Sequence, residues 1–166
     1  MISIIAAVSE NNAIGLNNNL LWRLSDDLKR FKELTLNKVV VMGQKTFESL
    51  PIKPLPNRTN IVISDDLEFI YPTCIVSNNI ESTLEKFKYF SYSEEVFIIG
   101  GGSIYKQFFN LSNKLYITKV HENFEADTFF LEIDEAWNLI SEEKHLKDEN
   151  NDYDFTYMIY EKKNDN

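Results

Sequence analysis

Two adjacent carboxylates, Asp26 and Asp27, stand in the stretch Trp22 to Phe31, where Leu24, Leu28 and Phe31 recur at helical spacing and mark a core-facing stripe. Ser25 has the residue type of an N-cap ahead of them. The first turn of a helix, with unpaired N–H groups and the positive end of the dipole, favours negative charge. The two acids are not equivalent. Asp27 adjoins Leu28 and precedes Phe31 by one turn, toward the apolar side, whereas Asp26 turns toward water. One reading of Asp27 is a solvated charge decorating a helix start. The other is a carboxylate in an apolar pocket, its proton affinity altered by burial, beside a substrate.

Glycine marks two more places with chemical potential. The chain has five glycines in 166 residues, three of them consecutive, which is about 3% where ~7% is usual. Gly43 closes the apolar run Lys38 to Met42 and precedes a short helical pattern from Gln44 to Leu50, so Gly43 to Thr46 is a strand-to-helix turn with free N–H groups and one lysine, Lys45. Gly100, Gly101 and Gly102 follow Val96 to Ile99 and precede Ser103 to Phe109, again strand, turn and helix, where backbone can approach a pyrophosphate. Steric packing of helix on strand is the alternative for both turns. Neither turn is the G-x-G-x-x-G fingerprint or a Walker lysine motif, which disfavours the usual nucleotide folds. Arg58 ends a loop fixed by Pro51, Pro54 and Pro56, and its guanidinium suits a carboxylate, or else bulk water.

The elements that must position these groups follow from periodicity. Ile2 to Val8 is a nearly continuous apolar run, hence a central strand buried on both faces. Ser9 to Leu21, rich in Asn, is a long polar connection and a candidate lid. Further strands are predicted at Thr59 to Ser64, Thr73 to Ser77 and Lys114 to His121, a helix at Ile80 to Phe87, a polar loop at Glu125 to Thr128, and a closing hairpin from Trp137 to Lys144 and Tyr153 to Lys162. Repeated strand-helix units ahead of a hairpin predict an α/β protein, a mostly parallel sheet covered by helices with one antiparallel edge. Ligands in such sheets bind at the carboxyl ends of strands, where Gly43, Ser64 and Gly100 all fall.

Composition narrows the partners. The length suits one domain, expected over residues 1–162 with a frayed end at 163–166. A net charge of −9 argues against nucleic acid or an anionic membrane surface as partner. The single cysteine, Cys74, is expected to be a small packing residue, and no apolar run approaches the ~18 residues of a membrane span. A cytoplasmic monomer without a bound metal is the expectation.

Taken together, Ile2-Ser3-Ile4-Ile5-Ala6-Ala7, Ala13-Ile14-Gly15, Trp22-x-Leu24, Asp27-Leu28-x-x-Phe31-Lys32, Val41-Met42-Gly43-x-Lys45-Thr46-Phe47-Glu48-Ser49, Leu55-Pro56-Asn57-Arg58-x-Asn60 and Ile99-Gly100-Gly101-Gly102-x-Ile104-Tyr105 resemble the bacterial dihydrofolate reductases over essentially the whole chain. The resemblance implies one domain with an eight-stranded sheet, an antiparallel C-terminal hairpin and about four helices. It implies reduction of dihydrofolate to tetrahydrofolate, with hydride passing from NADPH to C6 of the pterin and a proton to N5, in support of one-carbon metabolism.

The resemblance also implies roles. Asp27 would hold the pterin 2-amino group and N3, with Thr118 as its neighbour and Trp22 helping to hold a water. Ile5, Ala6, Leu28, Phe31, Leu50, Leu55 and Ile99 would wall the pterin and aminobenzoyl rings, while Lys53 and Arg58 would face the glutamate tail. Ala7, Ile14 and Gly15 would meet the nicotinamide; Gly43, Gln44, Lys45, Thr46, Ser64 and Asp65 the phosphate and ribose; and Gly100, Gly101, Gly102, Ser103, Ile104 and Tyr105 the diphosphate and ring. Residues 38–90 would form the adenosine-binding part, and the Gly100–Gly101 peptide would be cis. The loop from Ser9 to Leu24 would correspond to the family's mobile lid.

The chain departs from the pattern in places. Gln44 and Ser103 stand where many members carry arginines facing the cofactor 2′-phosphate, which leaves Lys45 and the Ser64 hydroxyl to that phosphate. Leu21 and Ser25 replace prolines beside Trp22, and Pro51-Ile52-Lys53 replaces a Gly-Arg pair with one residue added. A fold-sharing reductase of riboflavin synthesis is the competing enzyme, disfavoured by Asp27 with Phe31 and Arg58. A nucleotide-binding relative without turnover is the non-enzymatic alternative.

Overall fold

The computed structural model describes residues 1–90 and 94–163. Strand β1 (Ile2–Ser9) is flanked by β6 (Val96–Gly100) and β7 (Lys114–Val120), both parallel to it. With β3 (Val39–Gly43), β4 (Thr59–Ile63), β5 (Ile75–Ser77), β9 (Trp137–His145) and β10 (Phe155–Lys162) they form one eight-stranded sheet, ordered β5-β4-β3-β6-β1-β7-β10-β9. Only β10 runs antiparallel to its neighbours, so the sheet is the mostly parallel one with an antiparallel C-terminal edge that the strand-helix alternation predicts.

Period-two alternation sends the side chains of the central strands into two cores. Ile4, Val8, Val41, Ile98 and Leu115 face α3 (Ile80–Phe87) and α4 (Gly102–Phe108), while Ile5, Val40, Met42, Phe97 and Tyr116 face α1 (Ser25–Thr35) and α2 (Gln44–Ser49). This is why the strand segments read as continuous apolar runs: both faces are covered.

Two small strands escaped the sequence reading. Within the polar connection after β1, β2 (Ala13–Gly15) pairs with β8 (Thr128–Phe129), in the segment read as a loop. Three residues give too little pattern for a period to show. The asparagines here have a backbone reason. Asn12, Asn17 and Asn18 all have positive φ, a region that asparagine tolerates better than most side chains. Asp127 then anchors the turn, accepting from the Asn17 N–H at 2.9 Å and donating its own N–H to Gly15 O at 3.1 Å. The Asn17 N–H and the Thr128 hydroxyl hold the Asp127 carboxyl below the ordinary value.

Two expectations, on the cap and on one face of α1, need correction. Ser25 is not the N-cap of α1: it lies inside the helix, Leu24 precedes it, and no side chain of the cap residue bonds back. The cap comes from far along the chain. Asn151, buried, accepts from the Asp26 N–H at 3.2 Å and donates to the Asp26 carboxylate at 2.9 Å, while Asn150 O receives the Ser25 N–H. Leu28 is 58% exposed, because α1 buries Leu24, Thr35 and, in part, Phe31 and Leu34, and Leu28 lies at the margin of that arc. Of the expected frayed end, Lys163 is tied down by its N–H to Ala136 O at 2.9 Å, and 164–166 lie outside the described residues.

The Asn151 bridge has a measurable consequence. Asn151→Ala removes a buried cap and strands polar partners, so urea unfolding is expected to show a loss of about 1–3 kcal/mol, whereas Ser25→Ala should stay within roughly 0.5 kcal/mol of the parent. The reverse ranking would restore Ser25 as the cap.

Candidate active site

The start of α1 crosses the sheet above β7. Asp27 is half-buried there, and its carboxylate accepts a hydrogen bond from the Thr118 hydroxyl at 2.5 Å. Asp26, one residue earlier, is exposed. Burial pushes the Asp27 carboxyl above the ordinary carboxylate value; the Thr118 hydroxyl and the nearby Arg30 charge oppose that rise without cancelling it. This is the desolvated-carboxylate reading of Asp27 rather than the solvated one. Thr118 and Ala7 are register partners on β7 and β1, so Ala7 and the acid's hydroxyl donor share one rung.

Apolar walls gather around this carboxylate. Ile5 and Met42 are buried on the same sheet face, and Phe31, Leu50, Leu55 and Ile99 pack against them, partly buried. Trp22 is half-buried with its ring 5.2 Å from Phe124, in a cluster with Leu24, Val120 and Phe155. Ala6 stands apart: its side chain belongs to the opposite core, so only its backbone borders the site.

Arg58 is neither free nor fully solvated. Its Nε donates to Pro56 O at 2.9 Å and its Nη1 to the Thr35 hydroxyl at 3.1 Å, and the guanidinium lies 6.0 Å from the Phe31 ring centre. The proline loop before it contains a cis Lys53–Pro54 peptide, and Lys53 is exposed with its ammonium on Glu48 O.

Gly43, Ser64 and Gly100 do converge, at the carboxyl ends of the adjacent strands β4, β3 and β6. The helices that follow start without side-chain caps, α2 after Gly43 and α4 after Gly101. Their first N–H groups therefore lack the usual side-chain acceptor. The Gly100–Gly101 peptide is cis, as the resemblance implies, and Gly100 has φ +116°, a conformation that favours glycine. At Gly102 a Cβ would meet Thr128 Cγ2 at 2.6 Å, so the turn lies against the β2–β8 sheet, with Ile14 alongside. Tyr105, buried, ties this turn to β1, its single hydroxyl proton shared between the carbonyls of Ile5 at 2.8 Å and Ile99 at 2.9 Å. Ile104 is buried against Gly43.

At the other end of this row the anion-binding groups are fewer than the sequence promises. The Ser64 hydroxyl is buried, donates to Gln44 Oε1 at 2.5 Å and accepts from the Asp66 N–H at 3.0 Å. Gln44 is also held by Glu48. Lys45, Asp65 and Ser103 are exposed, and Thr46 is half-buried. Arg30, Asn151, Asp127 and Tyr157 border the site or its lid without having been singled out from sequence. For Arg30 a signal existed, since it follows Asp27 by three residues on the same helix face.

The sequence profile of the dihydrofolate reductase family matches residues 1–162. A dihydrofolate reductase of Bacillus subtilis is 43% identical over 165 residues, 99% of this chain and 96% of the relative, and that of Haemophilus influenzae is 39% identical over 162 residues, 97% and 98% of the two chains. A solved dihydrofolate reductase from Enterococcus faecalis, complexed with NADP(H) and RAB-propyl, superposes with a TM-score of 0.88 at 36% identity, covering 99% of this chain and 97% of that one. With the desolvated carboxylate, the glycine turns and these likenesses in agreement, the chain belongs to the dihydrofolate reductase family.

Proposed function

We propose that this protein reduces 7,8-dihydrofolate to 5,6,7,8-tetrahydrofolate with NADPH, and that Asp27 is its one buried acid. The observation that carries the reading is the Asp27 carboxylate on the Thr118 hydroxyl beneath α1, enclosed by apolar side chains. A pterin presents a 2-amino group and N3–H side by side, and a carboxylate fixed at one oxygen can accept from both. Thr118 fixes that oxygen. Placing the ring this way leaves one face toward Ala7 and Ile5, on the glycine-turn side.

NADPH, when bound, supplies the hydride that goes to C6. The residues present fit it: two uncapped helix starts sit at neighbouring strand ends, and the Gly102 turn lies against Ile14 and Thr128. Residues 38–90 form the adenosine-binding part, with Lys45 the cation available to the 2′-phosphate because the Ser64 hydroxyl is already engaged by Gln44. Gln44, Thr46, Asp65 and Ser103 border that region. Ile5, Leu28, Phe31, Leu50, Leu55 and Ile99 exclude water from the reacting rings, Trp22 braces the lid against Phe124, and Arg58, with Lys53, faces the glutamate tail. Asp27 polarises the pterin so that N5 accepts its proton. The enzyme acts as a cytoplasmic monomer.

Oxidation of NADPH by purified protein with dihydrofolate tests the reading, with NADH run in parallel. Turnover with NADPH is expected to exceed that with NADH, and Lys45→Met should shrink the preference about tenfold, the worth of one charge-assisted contact. Absence of turnover with either nucleotide would overturn the assignment. Asp27→Asn should lose about a hundredfold or more in kcat/KM near neutral pH; an unimpaired variant would remove Asp27 from its role.

Asp27→Asn also has a stability signature. Because burial raises the folded-state pKa of Asp27, its ionised form costs the folded protein stability above that pKa, and the cost is absent below the ordinary carboxylate value of about 4. Thermal melts are therefore expected to show the Asn variant more stable than the parent at pH 7, with the gap closing toward pH 4. A constant gap across that range would place its origin elsewhere.

A further inference from the structure

Arg30 lies one turn after Asp27 on α1, half-buried, with its guanidinium carbon 4.0 Å from the centre of the Tyr157 ring. Among the described residues the guanidinium makes no hydrogen bond or ion pair, so the ring is its clamp. Tyr157 stands opposite Thr118 across β10 and β7, and opposite Glu143 across β10 and β9. One rung of the sheet thus carries Thr118, Tyr157 and Glu143, and α1 lays Asp27 on the first of these and Arg30 on the second.

We propose, resting on the reductase reading, that Arg30 is a positioning residue for the reaction: held flat on Tyr157, its fixed positive charge favours the ionised form of the Asp27 carboxyl. A stacked guanidinium suits this task better than a lysine, because it is always charged, is weakly hydrated and packs on an aromatic face without needing water. Burial alone drives a carboxyl toward its neutral form, and an acid that must meet a pterin N3–H as an acceptor needs an opposing cation in the same low-dielectric layer.

The other groups facing this pair do not supply that charge. Tyr157 and Tyr116 are pushed up to about 12 by burial and stay neutral. Tyr105 is raised as well, by burial and by Asp27, and donates to backbone carbonyls. Glu143, an anion, lies with Oε1 2.9 Å from His145 Nε2, Asp26 bonds the Asn151 amide, and Glu95 accepts from the Tyr116 and Ser3 hydroxyls. Among the described residues Lys114, near the Tyr116 ring, is paired with Glu161, and the cation on the face of Asp27 is Arg30, whose own affinity for its proton is lowered by burial and restored in part by Asp27.

The test is a titration of the full-length protein labelled with ¹³C at the aspartate carboxyls, the Asp27 resonance being assigned by its absence in Asp27→Asn. In Arg30→Met the Asp27 midpoint is expected to rise by about one pH unit, while Arg30→Lys, which keeps the charge, should recover most of the parent value. The inflection in the pH profile of kcat/KM should move to higher pH by the same amount. An unmoved midpoint in folded Arg30→Met overturns the proposal. Should that variant fail to fold, Tyr157→Leu, which loosens the clamp, must raise the midpoint by a smaller amount, and no rise there overturns it equally. The carboxyl titration needs no turnover, so a failure of the reductase reading and a failure of the Arg30 inference are told apart.

Discussion

The bond between Thr118 and Asp27 joins the two layers on which everything else in this protein depends. It fixes α1 over β7 at the point where a carboxylate is drawn out of water. Apart from this bond and the Arg30 guanidinium on the Tyr157 ring, helix and sheet meet through apolar contact, which is non-directional and would tolerate a slide of the helix along the sheet. A half-buried carboxylate with one side-chain donor resists that slide, since losing the bond would cost on the order of 1 kcal/mol. The active site and the register of α1 are therefore set by the same atoms. The chemistry carries a cost in stability, because the folded-state pKa of Asp27 is raised rather than lowered.

A second constraint acts from the far end of the chain. The start of α1 is closed by the turn from Asp148 to Asn151, with Arg23 bonded to Asp152 at 2.7 Å and Asn151 held by Asp148 at 2.9 Å. The segment before α1 is thus tied at one side to this turn. At the other side it is tied to Asp127, whose contacts with Gly15 and Asn17 sit at the surface. Exposed hydrogen bonds of this kind open at low free energy. The segment between β1 and α1 thus has its firmer attachment beside Trp22 and Leu24 and its weaker one near Gly15.

The sequence made the long elements legible for a simple reason. Strands covered on both faces must be almost wholly apolar, and β3 and β6 are, with β1 interrupted only by the buried Ser3 and Ser9; α3 has amphipathic spacing and an Asn79 cap that accepts from the Ser82 N–H at 2.7 Å, so its limits agree. What was not legible is non-local. Ser25 has the composition of a cap, but the acceptor comes from Asn151, and no local pattern can show which distant amide will arrive. Leu28 obeys helical spacing yet lies at the edge of the buried arc, a distinction of tens of degrees that periodicity does not resolve. The residue types of Ser64 and Gln44 suggested separate contributions to an anion site, and their mutual hydrogen bond removes one of them. The flanks of Asp27 set it apart from Asp26, and the i,i+3 spacing places Arg30 on its face of the helix, but the ring that holds Arg30, Tyr157, is on the last strand and no local pattern shows it.

Charge then raises the question of how a chain with net charge −9 accommodates two anionic molecules, a dinucleotide phosphate and a folate. Its long-range field repels both, so attraction has to come from groups that act only at close range. Uncapped helix starts after Gly43 and Gly101 offer N–H groups whose effect fades within a turn, and Lys45 is exposed beside the first of them. Steering by the protein's field gives this enzyme no help with encounter, and added salt, by screening the repulsion, should speed association rather than slow it. That is the opposite of what a basic cleft produces. It follows from placing a few short-range donors on an acidic body.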